Sequence, residues 1–288
     1  NISDFKIFLK NQNIDIIYFL DYGCESIIYA DIFLKNNKNS YIAIANKEMI
    51  IAGGSLLINK ITKTKNKLIP LDSEHFSLSN LKLRNEFIKK IYITASGGPF
   101  RKLPLKSFNN ISIKQALSHP IWKMGKKISV DSATMVNKAL EIIEAKYLFD
   151  LDDDQIDAII HPQAIVHAMV NYKNGITTAL LNKPDMRIPI SSLFFEFNHY
   201  SNKVKQLNLL EYSKLEFYPI NASRYPAIKL GRDVMKIGGL APNAFNYLNE
   251  ILVSYFLKGV IKFVDITALN EINLEKIFSK NNNIMSPN

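Results

Sequence analysis

The sequence predicts an α/β protein that ends in a helical part. A helical stretch at 26–34 precedes an apolar strand at 41–45, and such alternation is typical of α/β units. Two more apolar segments, 68–71 and 91–95, run into polar or glycine-rich turns, as strands of a sheet do. The last part is predicted to be helical, because apolar residues recur at helical spacing in 243–257.

Composition limits the class of protein. With 288 residues, 47% hydrophobic and 22% charged, the chain is globular and long enough for more than one domain. Its single cysteine, Cys24, excludes an intramolecular disulfide framework and fits a reducing compartment. No apolar run reaches the roughly 18 residues of a membrane span and no signal peptide opens the chain, so we expect a soluble protein without a membrane partner.

The formal charge of +10 favours anionic ligands. Nucleic acid is one such ligand, but the lysines are scattered among Asn and Ile and form no basic array interleaved with aromatic residues. We therefore expect no nucleic-acid partner. The abundance of Lys, Asn, Ile and Tyr is typical of an AT-rich coding sequence, which fits a bacterial or plastid-type source.

A helix is predicted in the second half of the segment KKISVDSATMVNKALEIIEAK, residues 126–146. Asp131, Ser132 and Thr134 are candidate N-caps, and no Gly or Pro interrupts 133–147. Backbone N–H groups in the first turn of such a helix have no partner within the helix. Together with the positive end of the helix dipole, they suit a bound oxyanion.

The polar face of this helix offers ligands of two kinds. Ser132, Asn137 and Lys138 supply a hydroxyl, an amide and a cation that bind phosphate oxygens. Glu141 and Glu144 project away from the apolar stripe, so they are available for chemistry. Taken alone, a Glu-x-x-Glu spacing is more typical of a solvated acidic helix surface.

A second acidic signal follows the apolar strand at 68–71. In an extended chain Asp72 and Glu74 point to the same side, so both carboxylates can meet one hard divalent cation. Glu141 is the natural third ligand, and Mg²⁺ or Mn²⁺ would complete its shell with water and substrate oxygens. His75 beside two carboxylates does not make a zinc site. An acidic turn at a strand end is the alternative interpretation.

Two loops carry the remaining candidate site residues. The strand at 91–95 delivers Ser96 and then a Gly-Gly pair, which either lets the backbone approach a ligand closely or forms a tight turn. In HPIWKMGKK, Trp122 and Met124 occupy a loop bounded by proline and glycine. They form either a hydrophobic anchor or the underside of a lid that excludes water, and residue types alone slightly favour the anchor.

Together these segments resemble the family of 1-deoxy-D-xylulose 5-phosphate reductoisomerases over about 42–267. Seven elements occur in the family's order, which is far more specific than any one of them. They are IANKE (44–48), DSEH (72–75), SGGPFR (96–101), HPIWKMGKKISVDSATMVNKALEIIEA (119–145), HPQAIVHAMV (161–170), PDMRIPI (184–190) and RYPAIKL (224–230).

The resemblance implies an NADPH-dependent oxidoreductase and isomerase that also needs Mn²⁺ or Mg²⁺. Such an enzyme rearranges the phosphorylated sugar 1-deoxy-D-xylulose 5-phosphate and reduces the resulting aldehyde to 2-C-methyl-D-erythritol 4-phosphate, a step of non-mevalonate isoprenoid biosynthesis. It also implies a homodimer in the cytoplasm of a bacterium or in a plastid-type organelle.

The resemblance assigns roles to individual residues. The implied metal ligands are Asp72, Glu74 and Glu141. The implied phosphate-binding residues are Ser96, His119, Ser132, Asn137 and Lys138, and further substrate contacts are Lys47 and Ser73. The implied contacts of the nicotinamide cofactor are Asn46, Glu48 and Gly125.

Other matching positions have supporting roles. Trp122 and Met124 match the family's closing lid, so the lid interpretation now overtakes the anchor. Glu144 would support the metal site, and His167 would support the active site without transferring a proton. The apolar run that contains His167 is predicted to be a buried strand pair, and PDMRIPI a loop and helix start with a structural function.

Three features depart from the family. No G-x-G-x-x-G or related glycine-rich turn occurs, although such a βαβ unit binds the cofactor pyrophosphate. Residues 19–26 lack the family's small residues, and NYLNE (246–250) carries Tyr247 and Leu248 where the family has small residues. We therefore expect a chain shortened at both ends. The alternative function is a metal- and sugar-phosphate-binding homologue that lacks hydride transfer.

The predicted domains follow from this pattern. Residues 1–72 would be the C-terminal part of a Rossmann-like NADPH-binding domain, and 73–195 the α/β catalytic domain that holds metal and substrate. Residues 196–221 would form a connecting arm, and 222–288 an incomplete helical domain with a polar tail.

Overall fold

The computed structural model describes residues 2–10, 12–81, 84–122, 124–196 and 204–280. It has two β-sheets with helices around them and a helical C-terminal part, so the predicted fold class is confirmed. Part of the predicted arm (197–203) and most of the polar tail (281–288) lie outside the described residues. Within the described ranges, no helix combines the length and the apolar character that crossing a membrane requires.

The N-terminal unit is a parallel sheet with helices between its strands. The chain runs through α1 (Ile2–Lys10), β1 (Ile16–Phe19), α2 (Ser26–Asn36), β2 (Tyr41–Ile44), α3 (Lys47–Lys63) and β3 (Lys67–Pro70). The strands pair in the order β1-β2-β3, and each connecting helix is a crossover between parallel neighbours. All three strands therefore end at the same edge of the sheet.

The second unit contains a mixed sheet and the central helices. Its elements are α4 (Ser73–Asn80), β4 (Ile88–Ala95), α5 (Ile113–Ala116), α6 (Lys126–Thr134), α7 (Val136–Phe149), β5 (Ile156–Ile160), β6 (Val166–Tyr172), β7 (Thr177–Leu181) and α8 (Arg187–Glu196). The strand order is β5-β4-β6-β7, with β4 parallel to β5 and the other pairs antiparallel. The strand pair predicted around His167 corresponds to β5 and β6.

The C-terminal part consists of α9 (Pro226–Ile237), α10 (Ala241–Leu257) and α11 (Phe263–Lys280). Short 3₁₀ turns occur at Asn85–Phe87, Leu105–Asn110, Asp153–Gln155 and Leu209–Glu211. Helix α9 packs closely on α7, since a Cβ atom added to Gly231 would lie 2.7 Å from the Cβ of Ala139. The helical part is therefore attached directly to the helix that carries the acidic residues.

Two predictions of local structure are wrong. Asp131, Ser132 and Thr134 are not N-caps but lie inside α6, and the chain breaks at Met135 (φ 64°) before α7 begins at Val136. Asp131 instead pairs with Lys127 inside α6. Thr134 Oγ1 donates to carbonyls of its own helix and accepts from Val136 N at 3.3 Å, but the N-cap position of α7 is taken by Met135.

The second error concerns the strand end before α4. Asp72 and Glu74 are not in extended chain; Asp72 is the N-cap of α4 and accepts from the backbone N–H of Ser73 at 2.9 Å, while Glu74 lies in the first turn. Asp is a preferred N-cap residue, and this local hydrogen bond overrides the extended conformation. The two carboxylates still lie close together, because both occur at the start of one helix.

Helix α7 is buried at the centre of the molecule. It packs against α3, α9 and β5, and its apolar residues Val136, Leu140 and Ile143 belong to the main core. Glu141 and Glu144 are buried as well, at 1% and 0% exposure. The interpretation of this helix as a solvated acidic surface is therefore wrong.

Candidate active site

A cleft of about 630 Å³ opens where strands of both sheets end. Lys47 follows β2, Asp72 follows β3 and Ser96 follows β4, so the carboxyl ends of three strands bring these side chains together. The predicted site residues that line the cleft are Lys47, Glu48, Asp72, Ser73, Glu74, Ser96, His119, Trp122, Met124, Gly125, Ser132, Asn137, Lys138 and Glu141.

Three predicted residues lie behind the cleft wall. Asn46 caps α3, where its side chain accepts from Met49 N at 3.0 Å and donates to the Gly23 carbonyl at 2.9 Å. Glu144 is buried one turn beyond Glu141. His167 is 3% exposed, and its ring centroid lies 6.4 Å from that of Trp122.

Three carboxylates converge at the base of the cleft. Asp72, Glu74 and Glu141 each place one oxygen within 4.8 Å of the others. Two buried lysines approach them: Lys47 Nζ lies 2.7 Å from Asp72 and 2.9 Å from Glu141. Lys138 Nζ lies 2.5 Å from Glu74 and also contacts Glu141.

The electrostatics of this cluster keep the lysines charged. Burial opposes the charge of Lys47, but the carboxylates of Asp72 and Glu141 raise its pKa well above the ordinary value. Burial likewise opposes the charge of Glu141, yet Lys138 and Lys47 lower its pKa. The pKa of Asp72 is instead raised, because burial outweighs the attraction of Lys47.

The donor set fits a small divalent cation. Carboxylate oxygens are the preferred ligands of Mg²⁺ and Mn²⁺, and two ligands of one such cation lie at most about 4.2 Å apart, which is similar to the 4.8 Å within which these oxygens gather. Asp72 Oδ2 and Glu141 Oε2 are buried, and each is paired with a lysine ammonium group, that of Lys47 at 2.7 Å and that of Lys138. These oxygens therefore already face positive charge, and a divalent cation would replace the two ion pairs.

A second polar layer lies behind these ligands. His75 is fully buried, and its Nε2 lies 2.9 Å from the Glu141 carbonyl, to which it donates. Its Nδ1 faces Glu144 Oε2 at 3.4 Å. Burial and the neighbouring Asp72 raise the pKa of Glu144 well above its ordinary value, which favours the neutral carboxyl group.

Ser96 and His119 form the other end of the cleft. His119 Nδ1 accepts from the backbone N–H groups of Ile121 (3.2 Å) and Trp122 (2.9 Å), and burial lowers the pKa of the ring to about 4. The neutral ring therefore carries its proton on Nε2 and donates to Ser96 Oγ at 3.2 Å. Gly98 N also donates to Ser96 Oγ at 3.2 Å, so the Ser96 hydroxyl keeps its own proton to offer to an anion.

Sequence reasoning missed a buried ion pair on the cleft wall. Lys127 Nζ lies 2.9 Å from both Glu48 and Asp131, and Asn249 of α10 donates to Asp131 at 2.8 Å. Burial would lower the pKa of Lys127, but these two carboxylates raise it. The i,i+4 spacing of Lys127 and Asp131 was the available signal, and it was hidden by the assignment of Asp131 as an N-cap.

Comparison with known sequences identifies relatives of one kind. Residues 68–149 match the family described as 1-deoxy-D-xylulose 5-phosphate reductoisomerase C-terminal domain, and residues 181–286 match the DXP reductoisomerase C-terminal domain. The reductoisomerase of Clostridium tetani is 40% identical over 252 residues, which cover 86% of this chain and 64% of that protein. That of Sulfurihydrogenibium sp. is 40% identical over 289 residues, 96% of this chain and 75% of that protein.

Solved structures agree with this comparison. A crystal structure of DOX-P reductoisomerase with NADPH, fosmidomycin and magnesium superposes with a TM-score of 0.89 at 32% identity. The match covers 97% of this chain and 71% of the crystallised chain. The enzyme of Zymomonas mobilis in complex with NADPH has a TM-score of 0.87 at 31% identity, and the match covers 95% of this chain and 71% of that enzyme's chain. None of the relatives and structures named here is described as a homologue without hydride transfer, so they lend that alternative no support. The chain spans 64% and 75% of the lengths of the two curated relatives named above.

Proposed function

The chain belongs to the 1-deoxy-D-xylulose 5-phosphate reductoisomerase family, and from that premise we propose that it carries the metal and substrate sites of this enzyme. The proposed reaction converts 1-deoxy-D-xylulose 5-phosphate to 2-C-methyl-D-erythritol 4-phosphate with NADPH, in isoprenoid precursor biosynthesis. The observation that supports it is the convergence of Asp72, Glu74 and Glu141 in the same cleft as Ser96.

Asp72, Glu74 and Glu141 are the residues that would hold Mn²⁺ or Mg²⁺. When bound, such a cation supplies Lewis-acid stabilisation of the negative charge that develops on substrate oxygens. Lys47 and Ser73 lie beside these carboxylates, with the Ser73 hydroxyl 2.5 Å from Glu74 Oε2, and both would orient the substrate hydroxyl groups. Glu144 and His75 would hold α7 and α4 in register behind the ligands.

Ser96, His119, Ser132, Asn137 and Lys138 would bind the phosphate group. The Ser96 hydroxyl is held as a donor by two hydrogen bonds that it accepts, from His119 and Gly98. Ser132 and Asn137 flank the start of α7, where N–H groups and the helix dipole favour an anion. The Lys138 ammonium group also contacts Glu74 and Glu141, so this residue of the proposed phosphate set lies beside the metal ligands.

The cofactor side and the lid complete the proposal. Glu48 and Gly125 line the cleft and would contact the nicotinamide of NADPH, while Asn46 would act through the start of α3. Trp122 and Met124 would close over the substrate and exclude water, and the His167 ring lies in an edge arrangement against the indole. A homodimer is part of the proposal on the basis of family membership.

The test follows NADPH oxidation by the protein that carries this chain, supplied with 1-deoxy-D-xylulose 5-phosphate, with and without Mn²⁺. We expect oxidation only with the metal.

Direct Mn²⁺ binding, measured by electron paramagnetic resonance, should be weakened at least about tenfold in Glu141→Gln, because this substitution removes one of three carboxylate ligands. Glu211→Gln, an identical change at an exposed position outside the cleft, should bind Mn²⁺ like wild type. Absence of both metal binding and NADPH oxidation in wild type would overturn the proposal.

A further inference from the structure

Arg224 and Tyr225, the first residues of RYPAIKL, contact the loop that follows Ser96, although neither lines the cleft. The Tyr225 hydroxyl donates to the carbonyl of Gly97 at 2.7 Å. Arg224 Nη1 donates to the carbonyls of Phe100 and Leu103 at 2.8 and 2.6 Å. Side chains from the start of the helical part thus hold this loop from behind.

The turn itself has a backbone that needs such support. Gly97 and Gly98 have φ angles of +86° and +63°, in the left-handed region where glycine is favoured. A Cβ atom on Gly98 would lie 3.0 Å from the carbonyl oxygen of Ser132, so the turn is pressed against the end of α6. Glycine has more conformational freedom to lose than any other residue, and an external hydrogen bond reduces that freedom.

One peptide plane connects Tyr225 to Ser96. The Gly97 carbonyl and the Gly98 N–H belong to the same planar trans peptide unit, so they point in opposite directions and turn together. The carbonyl accepts from Tyr225 on one side, and the N–H donates to Ser96 Oγ at 3.2 Å on the other. Fixing the carbonyl therefore fixes the donor that orients the Ser96 hydroxyl.

We propose that Tyr225 is a positioning residue for the phosphate end of the substrate, acting through the Gly97–Gly98 peptide on the Ser96 hydroxyl. This proposal rests on the proposed function of the cleft. Tyr225 is itself rigidly placed: it is 1% exposed and packs with Ala95, Met135 and Ile160. Burial raises the pKa of its phenol to about 12, so the hydroxyl remains a donor at neutral pH.

The experiment compares Tyr225→Phe with Tyr147→Phe. Both substitutions remove one hydroxyl from a tyrosine whose pKa is raised by burial, but Tyr147 lies near the end of α7 and outside the cleft. Isothermal titration calorimetry measures binding of 1-deoxy-D-xylulose 5-phosphate in the presence of Mn²⁺, and of Mn²⁺ alone. We expect Tyr225→Phe to raise the Kd of the sugar phosphate about two- to tenfold, the value of one neutral hydrogen bond, and to leave the Kd of Mn²⁺ unchanged. Tyr147→Phe should change neither.

The results separate this inference from the proposed function. A wild-type protein that binds neither ligand overturns the proposed function. A wild type that binds both, with Tyr225→Phe binding the sugar phosphate equally well, overturns the positioning role alone. Equal weakening of sugar phosphate and Mn²⁺ also overturns it, since that result indicates a general loss of structure.

Hydrogen exchange gives a second measurement without any ligand. In Tyr225→Phe the Gly98 amide should exchange faster than in wild type, while amides in the middle of α7 keep their protection. Unchanged exchange at Gly98, or a uniform increase that includes α7, would contradict the proposal.

Discussion

Replacing Asn249 with leucine should destabilise the protein more than the same replacement at Asn270. Both are amides in the C-terminal helices, 0% and 1% exposed, and the side-chain oxygen of each makes no hydrogen bond within the described part of the chain. Their acceptors differ. Asn249 Nδ2 donates to the Asp131 carboxylate at 2.8 Å, and Asn270 Nδ2 donates to the backbone carbonyl of Phe245 at 3.2 Å.

The size of the expected loss in unfolding free energy depends on whether the acceptor is charged. A hydrogen bond to a charged group contributes about 1.5–3 kcal/mol, and one between neutral groups about 0.5–1.5 kcal/mol. Asn249→Leu also leaves a carboxylate oxygen of Asp131, a residue only 2% exposed, without its amide donor. We therefore expect the free energy of unfolding to fall by about 1.5–3 kcal/mol for Asn249→Leu and by about 0.5–1.5 kcal/mol for Asn270→Leu.

Urea unfolding measures this difference. The midpoints should shift with an unchanged slope, since neither substitution alters the surface exposed on unfolding. In an Asp131→Asn background, the cost of Asn249→Leu should fall toward the neutral value, because the charged acceptor is gone. Equal losses for the two leucine variants, or a larger loss at Asn270, would refute the reasoning.

Two further predictions concern the cleft. His167 is buried and its pKa is lowered from 6.5 to about 4, so the unfolded state binds the proton first as the pH falls. The free energy of unfolding should therefore decrease as the pH falls from about 6.5 to 4. The decrease should be smaller in His167→Gln, which has no imidazole to protonate. Parallel pH profiles of the unfolding free energy for wild type and variant would contradict this. Gly98→Ala should weaken sugar-phosphate binding and destabilise the fold by more than about 1 kcal/mol, because a left-handed Cβ would also meet the Ser132 carbonyl at 3.0 Å. Gly175→Ala is the matched control in calorimetry, since it has the same sign of φ and open space around it, and an equal cost there would contradict the role of the contact.

Much of the fold could be predicted from periodicity. The alternation of helix and strand over 26–45 is confirmed by α2 and β2, and the apolar spacing in 243–257 by α10. The junction of α6 and α7 could not be predicted in this way, because Met135 adopts a left-handed conformation without being Gly or Asn. Its cause is tertiary: Met135 packs with Ala95, Ile160 and Tyr225, and no pattern within the segment encodes that contact.

The candidate site, like the fold, could be predicted from the sequence only in part. Residue types and spacing indicated which carboxylates meet, and Asp72, Glu74 and Glu141 do converge. The burial of Glu144 and the pairing of Lys127 depend on which elements cover α7 and α6, so the sequence carried only the weak i,i+4 signal for the second. The roles of individual residues in catalysis and cofactor binding remain predictions.

The charge balance of the cleft explains why two lysines are buried among its acids. Asp72, Glu74 and Glu141 would repel one another at this distance, and an unpaired buried carboxylate costs several kcal/mol in proteins, so the folded cation-free cleft needs positive charge. Lys47 and Lys138 supply it, and both reach Glu141. A dication held by the same oxygens would replace this neutralisation and leave the ammonium groups available to substrate oxygens. The lysines thus serve first as counter-ions that let the ligand cluster fold and then as binding groups. Their places in the fold suit this role, because Lys47 follows β2, the strand beside the one that Asp72 follows, and Lys138 shares α7 with Glu141.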